Sequence, residues 1–110
     1  MIEELIKNAE ADIELLKQND LKGDQFDKPR QVDFLFKSPT REKAEAIAGF
    51  LSDYNFGNTN ITQNENQFEV LVLIQMPINQ NIIQSVSGFM LLIGKIFNST
   101  FDGWGSVIQK

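Results

Sequence analysis

Apolar and polar positions alternate most regularly in two stretches of the chain. In Gln31–Lys37, Val32, Phe34 and Phe36 fall on one side and Asp33, Leu35 and Lys37 on the other. In Gln67–Met76, Phe68, Val70, Val72 and Ile74 share a side against Glu69, Leu71 and Leu73. A period of two is that of a strand with distinct faces, so both stretches are predicted to be strands. Three other stretches repeat at three and four residues, the period of an amphipathic helix. Ile2, Ile6, Ala9, Ile13 and Leu16, widened by Leu5 and Leu15, form the first stripe. Ala44, Ile47, Ala48, Leu51 and Tyr54 form the second, and Ile82, Val86, Phe89, Ile93 and Phe97 the third.

Punctuation between these stretches sets the order of elements. Gly23 and the polar run to Pro29 end the first helix. Ser38-Pro39 reads as the start of the second, with serine capping free amides and proline at the first helical position, and Gly57 as its stop. Asn58–Gln63 is a weaker, polar strand, and Asn64-Glu65-Asn66 turns it into the strong strand at 67–76. Pro77 halts that ladder, Asn79 or Asn81 caps the third helix, and Phe97–Ile108 supplies the last strand.

Helix, then strand, helix, strand, strand, helix, strand, predicts an α+β protein. Its core is a ferredoxin-like split βαβ sandwich, an antiparallel sheet with two crossover helices on one face, carrying an extra N-terminal helix. The expected organisation is an amphipathic helix over residues 1–22, a linker over 23–30 and the ferredoxin-like domain over 31–110. Strand alternation then puts Leu35, Leu71 and Leu73 on the face away from the crossover helices, beside Asp33, Lys37 and Glu69. Such a face is too apolar to stay fully wet. Its cover is the N-terminal helix, a second copy of the chain or a partner.

Composition narrows the function. A chain of 110 residues builds one core. The absence of cysteine and histidine removes disulfides, thiolate nucleophiles, the usual general base and the commonest metal ligands. Neither a cofactor nor a metal is expected. Residues 1–29 hold eight acids and four lysines, so four of the five net negative charges lie there. The remainder is nearly neutral, and neither part has the basic footprint that a phosphate backbone requires. The most apolar run, Ile82–Phe97, is broken by Gln84, Ser85, Ser87 and Lys95 and is short for a bilayer. The N-terminus lacks the basic-then-apolar form of a signal peptide, so the sequons at Asn60 and Asn98 read as chance and the expected location is the cytoplasm.

One motif is unlikely by chance: Phe101-Asp102-Gly103-Trp104-Gly105, with the chain's single tryptophan between two glycines. Glycine weakens a strand, so Gly103 and Gly105 predict a bulge or a close backbone approach. Trp104 reads as partly buried core or as an interface anchor. This motif, Arg30-Gln31-Val32-Asp33-Phe34 and the alanine-rich helix Lys43–Leu51 together resemble the ribonuclease E inhibitor B family. The resemblance implies a ferredoxin-like domain that binds ribonuclease E and restrains RNA decay without chemistry of its own.

Leu35, Leu71, Leu73, Asp102 and Trp104 are the expected partner contacts on the body of the domain. Glu3, Glu10 and Glu14 are the expected steering charges on the N-terminal helix, and the chain is read as a monomer or homodimer. Three other readings stand beside this one. A ligand-binding ferredoxin-like module is the first. A small enzyme using Asp33 and Asp102 as a carboxylate pair is the second. The third is an RNA-recognition sheet stacking bases on Phe34 and Phe36, which the predicted burial of both rings disfavours.

Overall fold

A computed structural model describes residues 1–110. Its elements run in the order α1 (Ile2–Leu21), β1 (Arg30–Ser38), α2 (Arg41–Asp53), β2 (Asn58–Asn64), β3 (Gln67–Met76), α3 (Gln80–Ile96) and β4 (Thr100–Ser106). The four strands form one antiparallel sheet in the order β2-β3-β1-β4. This is the ferredoxin-like arrangement that the order of periodicities predicts, with the additional helix in front.

The alternation in the sequence becomes the two faces of the sheet. Val32, Phe34 and Phe36 of β1 and Val70 and Val72 of β3 are fully buried against the helices. Ala44, Ile47 and Leu51 of α2 and Ile83, Met90 and Ile93 of α3 close the core from above. Each large side chain taken out of water there contributes about 1.5–3 kcal/mol relative to an exposed one.

Two helix faces differ from those predicted. On α3 the buried residues are Ile83, Ser87, Met90, Ile93 and Gly94, while Ile82 remains exposed, so the helix is turned by about one residue. The cause is steric: a side chain at position 94 would meet the Ser99 carbonyl at 3.0 Å, so the Gly94 edge is the one that comes closest to β4. On α1, Asp12, Leu16 and Asn19 are buried while Ile2 and Ile6 are mostly exposed. That helix docks through polar side chains as much as through its aliphatic stripe.

The start and end of α2 also differ from expectation. Thr40, not Ser38, is its N-cap, and the Thr40 hydroxyl accepts the Lys43 amide at 3.2 Å. Ser38 instead ends β1, buried, its hydroxyl 2.6 Å from that of Ser99. Tyr54 caps the far end of α2 exposed to solvent, stacked obliquely on Phe50 and outside the core.

Residues 24–30 are tied into the body of the protein by a buried ion pair. Arg30 Nη1 donates to Asp24 Oδ2 at 2.8 Å, and both side chains are fully buried. The guanidinium also donates to the carbonyls of Lys28, Gln25 and Val107. Asn19 Nδ2 and the Gln109 amide donate to the Asp24 carboxylate, and the Gln25 amide donates to the Gln109 carbonyl. One salt bridge thus joins the end of α1, the start of β1 and the C-terminal segment.

Candidate functional site

The sheet face away from the core is left open by the fold. Cross-strand partners share a face, so the register gives its layout row by row. Asn60, Leu71 and Leu35 form the central row, which runs into β4 where its register shifts. Asn58, Leu73, Asp33 and Gly105 form the row on one side, and Thr62, Glu69, Lys37 and Thr100 the row on the other. Leu35, Leu71 and Leu73 are half-buried by their neighbours and have no helix above them.

α1 is not the cover. It runs antiparallel to α3 in the helical layer: Glu4 pairs with Lys95, and Gln84 Nε2 donates to the Ala9 carbonyl at 3.3 Å. The ammonium of Lys95 holds the Glu4 carboxyl below its usual range.

The glycine motif shapes the edge of the open face. Between the pairs Phe34↔Trp104 and Phe36↔Phe101 the register shifts, so Asp102 and Gly103 both stand opposite Leu35. This is a β-bulge. Gly103 takes φ +103°, a conformation that side chains with a Cβ rarely adopt. A Cβ at position 105 would lie 3.3 Å from Asp33 Oδ1. With no side chain at either glycine, a shallow hollow of about 250 Å³ opens over Leu35, lined also by Asp33, Asp102 and Trp104. Asp102 Oδ2 lies 3.4 Å from Lys37 Nζ, and both side chains are partly exposed.

Gly103→Ala is therefore expected to cost about 1–3 kcal/mol although the space beside it is empty, because the strain is in the backbone. Gly105→Ala is expected to cost less. Urea unfolding of the two variants measures the difference, and equal stabilities would place the strain elsewhere.

The bulge also sets the direction of Trp104. Trp104 lies across from Phe34 on the helical side, 9% exposed, and its indole faces α1 and α3 rather than the open leucines. Trp104 Nε1 donates to Asp12 Oδ1 at 2.8 Å. Glu3, Glu10 and Glu14 are exposed on α1, with Glu14 3.7 Å from Lys17. Asp12, Asp24 and Arg30 are not singled out by sequence patterning. Arg30 enters the sequence reading only as the first residue of the Arg30–Phe34 motif, and the signal for its pairing with Asp24 is a carboxylate and a guanidinium closing a short polar turn.

The open face sets Leu35, Leu71 and Leu73 among Asp33, Lys37 and Glu69. It carries no aromatic ring, because Phe34 and Phe36 are fully buried on the other side. Asp102 is paired with Lys37, and Asp33 and Asp102 both line the hollow over Leu35. No three acidic side chains gather closely enough to hold a metal ion.

Comparison with known families decides the relationship. The family model described as regulator of ribonuclease activity B matches residues 9–106. The chain belongs to that family. The matched region of this ribonuclease-regulator family spans the sheet, both crossover helices, most of α1 and the whole glycine motif. A search of curated proteins gave no match. No helix is long and apolar enough to cross a membrane.

Proposed function

We propose that this chain is a non-enzymatic regulator of ribonuclease E that works in the cytoplasm by protein contact, with the uncovered sheet face as its docking surface. The supporting observation is the leucine cluster of Leu35, Leu71 and Leu73, left open because α1 packs on α3. A partner removes these side chains from water. The polar rim of Asp33, Glu69, Lys37 and Asp102 sets orientation. Three of those four charges are acidic, which matches a basic segment of the enzyme. Glu3, Glu10 and Glu14 lie on a separate exposed surface and act at long range, speeding encounter rather than adding contacts.

The test is binding of purified ribonuclease E to the immobilised chain, with RNA removed by nuclease beforehand. Leu71→Glu is expected to weaken binding by about tenfold or more while the chain stays folded, since the side chain is only half-buried and lies outside the core. Replacing Glu3, Glu10 and Glu14 by glutamine is expected to slow association and flatten its dependence on salt, leaving dissociation unchanged. Wild-type affinity for Leu71→Glu would remove the sheet face from the interface.

A further inference from the structure

One of the contacts that hold α1 to the domain is built around a carboxyl group with no cation. Asp12 is 3% exposed. Its Oδ1 accepts both Trp104 Nε1–H at 2.8 Å and Ser87 Oγ–H at 3.0 Å. Ser87 is itself oriented by Asn8 Nδ2, which donates to its hydroxyl at 2.8 Å. Oδ2 is buried and has no hydrogen-bond partner. The arrangement joins α1, α3 and β4 through one side chain.

That asymmetry distinguishes the two forms of the group. A carboxylate divides its charge between its oxygens and would leave one charged oxygen buried without a donor. A buried charged acceptor lacking a donor costs more than a neutral one. A neutral acid with its proton on Oδ2 presents Oδ1 as a carbonyl oxygen, the atom on which both donors converge, and leaves without a partner only an uncharged hydroxyl.

No nearby charge offsets this preference. The Asp12 neighbours one turn away on α1 are Asn8, Ala9, Leu15 and Leu16. The one charged residue of α3, Lys95, is engaged by Glu4 two turns off, and the one charged residue of β4, Asp102, pairs with Lys37 on the other face of the sheet.

We propose that Asp12 is a proton-coupled latch: its carboxyl docks in the acid form with the proton on Oδ2, and loss of that proton loosens α1 from α3 and β4. Burial, opposed by the hydrogen bonds from Trp104 and Ser87, pushes this carboxyl above its usual range. The sign follows from linkage. The docked state holds the proton more tightly than the released state, so the latch is fully closed below the ordinary carboxyl value of about 3.9. It weakens as pH rises through the raised value. This is the opposite of the acid-labile contact made by a carboxylate paired with a base.

Trp104 is the only tryptophan, so the tryptophan emission comes from the indole that donates to Asp12. In the full chain, raising pH from about 4 to about 8 is expected to shift Trp104 emission to the red, with a midpoint above the ordinary carboxyl range. Over the same interval, amide exchange of α1, corrected for base catalysis, is expected to speed up by about tenfold or more while β1 and β3 stay protected. Asp12→Asn keeps an acceptor for the indole and has no titrating proton, so both changes are expected to vanish. The carboxyl carbon resonance of Asp12 in the unmodified chain reads protonation directly, and does so even where the variant folds poorly. An Asp12 resonance titrating in the ordinary carboxylate range, or the same pH response in Asp12→Asn, would overturn the latch.

Discussion

Arg30→Met is expected to destabilise the protein by about 3–5 kcal/mol, the loss that follows when one partner of a buried ion pair is removed and the other is left. Domains of this size are stable by roughly 5–15 kcal/mol, so one substitution removes a large share. The remaining Asp24 carboxylate would be fully buried with only Asn19 and the Gln109 amide as donors, and the Lys28, Gln25 and Val107 carbonyls would each lose a guanidinium N–H. The double variant Arg30→Met with Asp24→Leu is expected to recover part of the loss, because no buried charge is then stranded. Urea titrations of the single and double variants check both statements. A single variant within about 1 kcal/mol of wild type would show that water reaches the site.

The same ion pair fixes a pH dependence. Burial works against the Asp24 carboxylate, but Arg30, the Gln109 amide and Asn19 outweigh it and hold the group below its usual range. Its contribution is therefore complete above the unfolded-state value of about 3.9 and is lost as pH falls through the lower folded value. The double variant is expected to lack that part of the acid limb of its stability curve.

Phe34→Ala is expected to cost about 3–5 kcal/mol, combining lost transfer free energy with the cavity left behind. Phe34 is fully buried in a central strand, between Val72 and Trp104 on its neighbours, and its ring stacks on that of Phe101 at 6.3 Å. At several degrees of melting temperature per kcal/mol, the expected fall is about 15 °C or more by thermal unfolding. A fall of a few degrees would mean that the surrounding side chains collapse into the space.

The two faces of the sheet were legible in the sequence because a strand has period two. Once Val32, Phe34 and Phe36 face inward, Leu35 must face outward, and pairing carries the assignment to Leu71. The helical faces were less legible. In α3 nearly every side is apolar, so periodicity could not decide between Ile82 and Ile83, and the choice fell to the close approach of Gly94 to the backbone that leads into β4. Asp12 looked like one more surface acid on α1, since its partner Trp104 lies 92 residues away. The two glycines around Trp104 did show that the backbone there was unusual. Patterning could not tell that the resulting bulge would turn the indole toward the helices.

The position of β1 has a consequence for how the protein is made. β1 lies between β3 and β4, so the first strand to leave the ribosome acquires its second neighbour only when the last strand has followed it. Synthesis proceeds at about 5–20 residues per second, so the roughly sixty residues between β1 and β4 take seconds to appear. During that interval β1 can pair with β3 and receive α2, but its other edge stays bare, and Phe34 and Phe36 lack Trp104 and Phe101 beside them. An unpaired strand edge next to exposed phenylalanine is a template for pairing with another nascent chain. The growing polypeptide is thus most exposed to aggregation just before β4 closes the sheet, and that is the stage at which a chaperone would meet it.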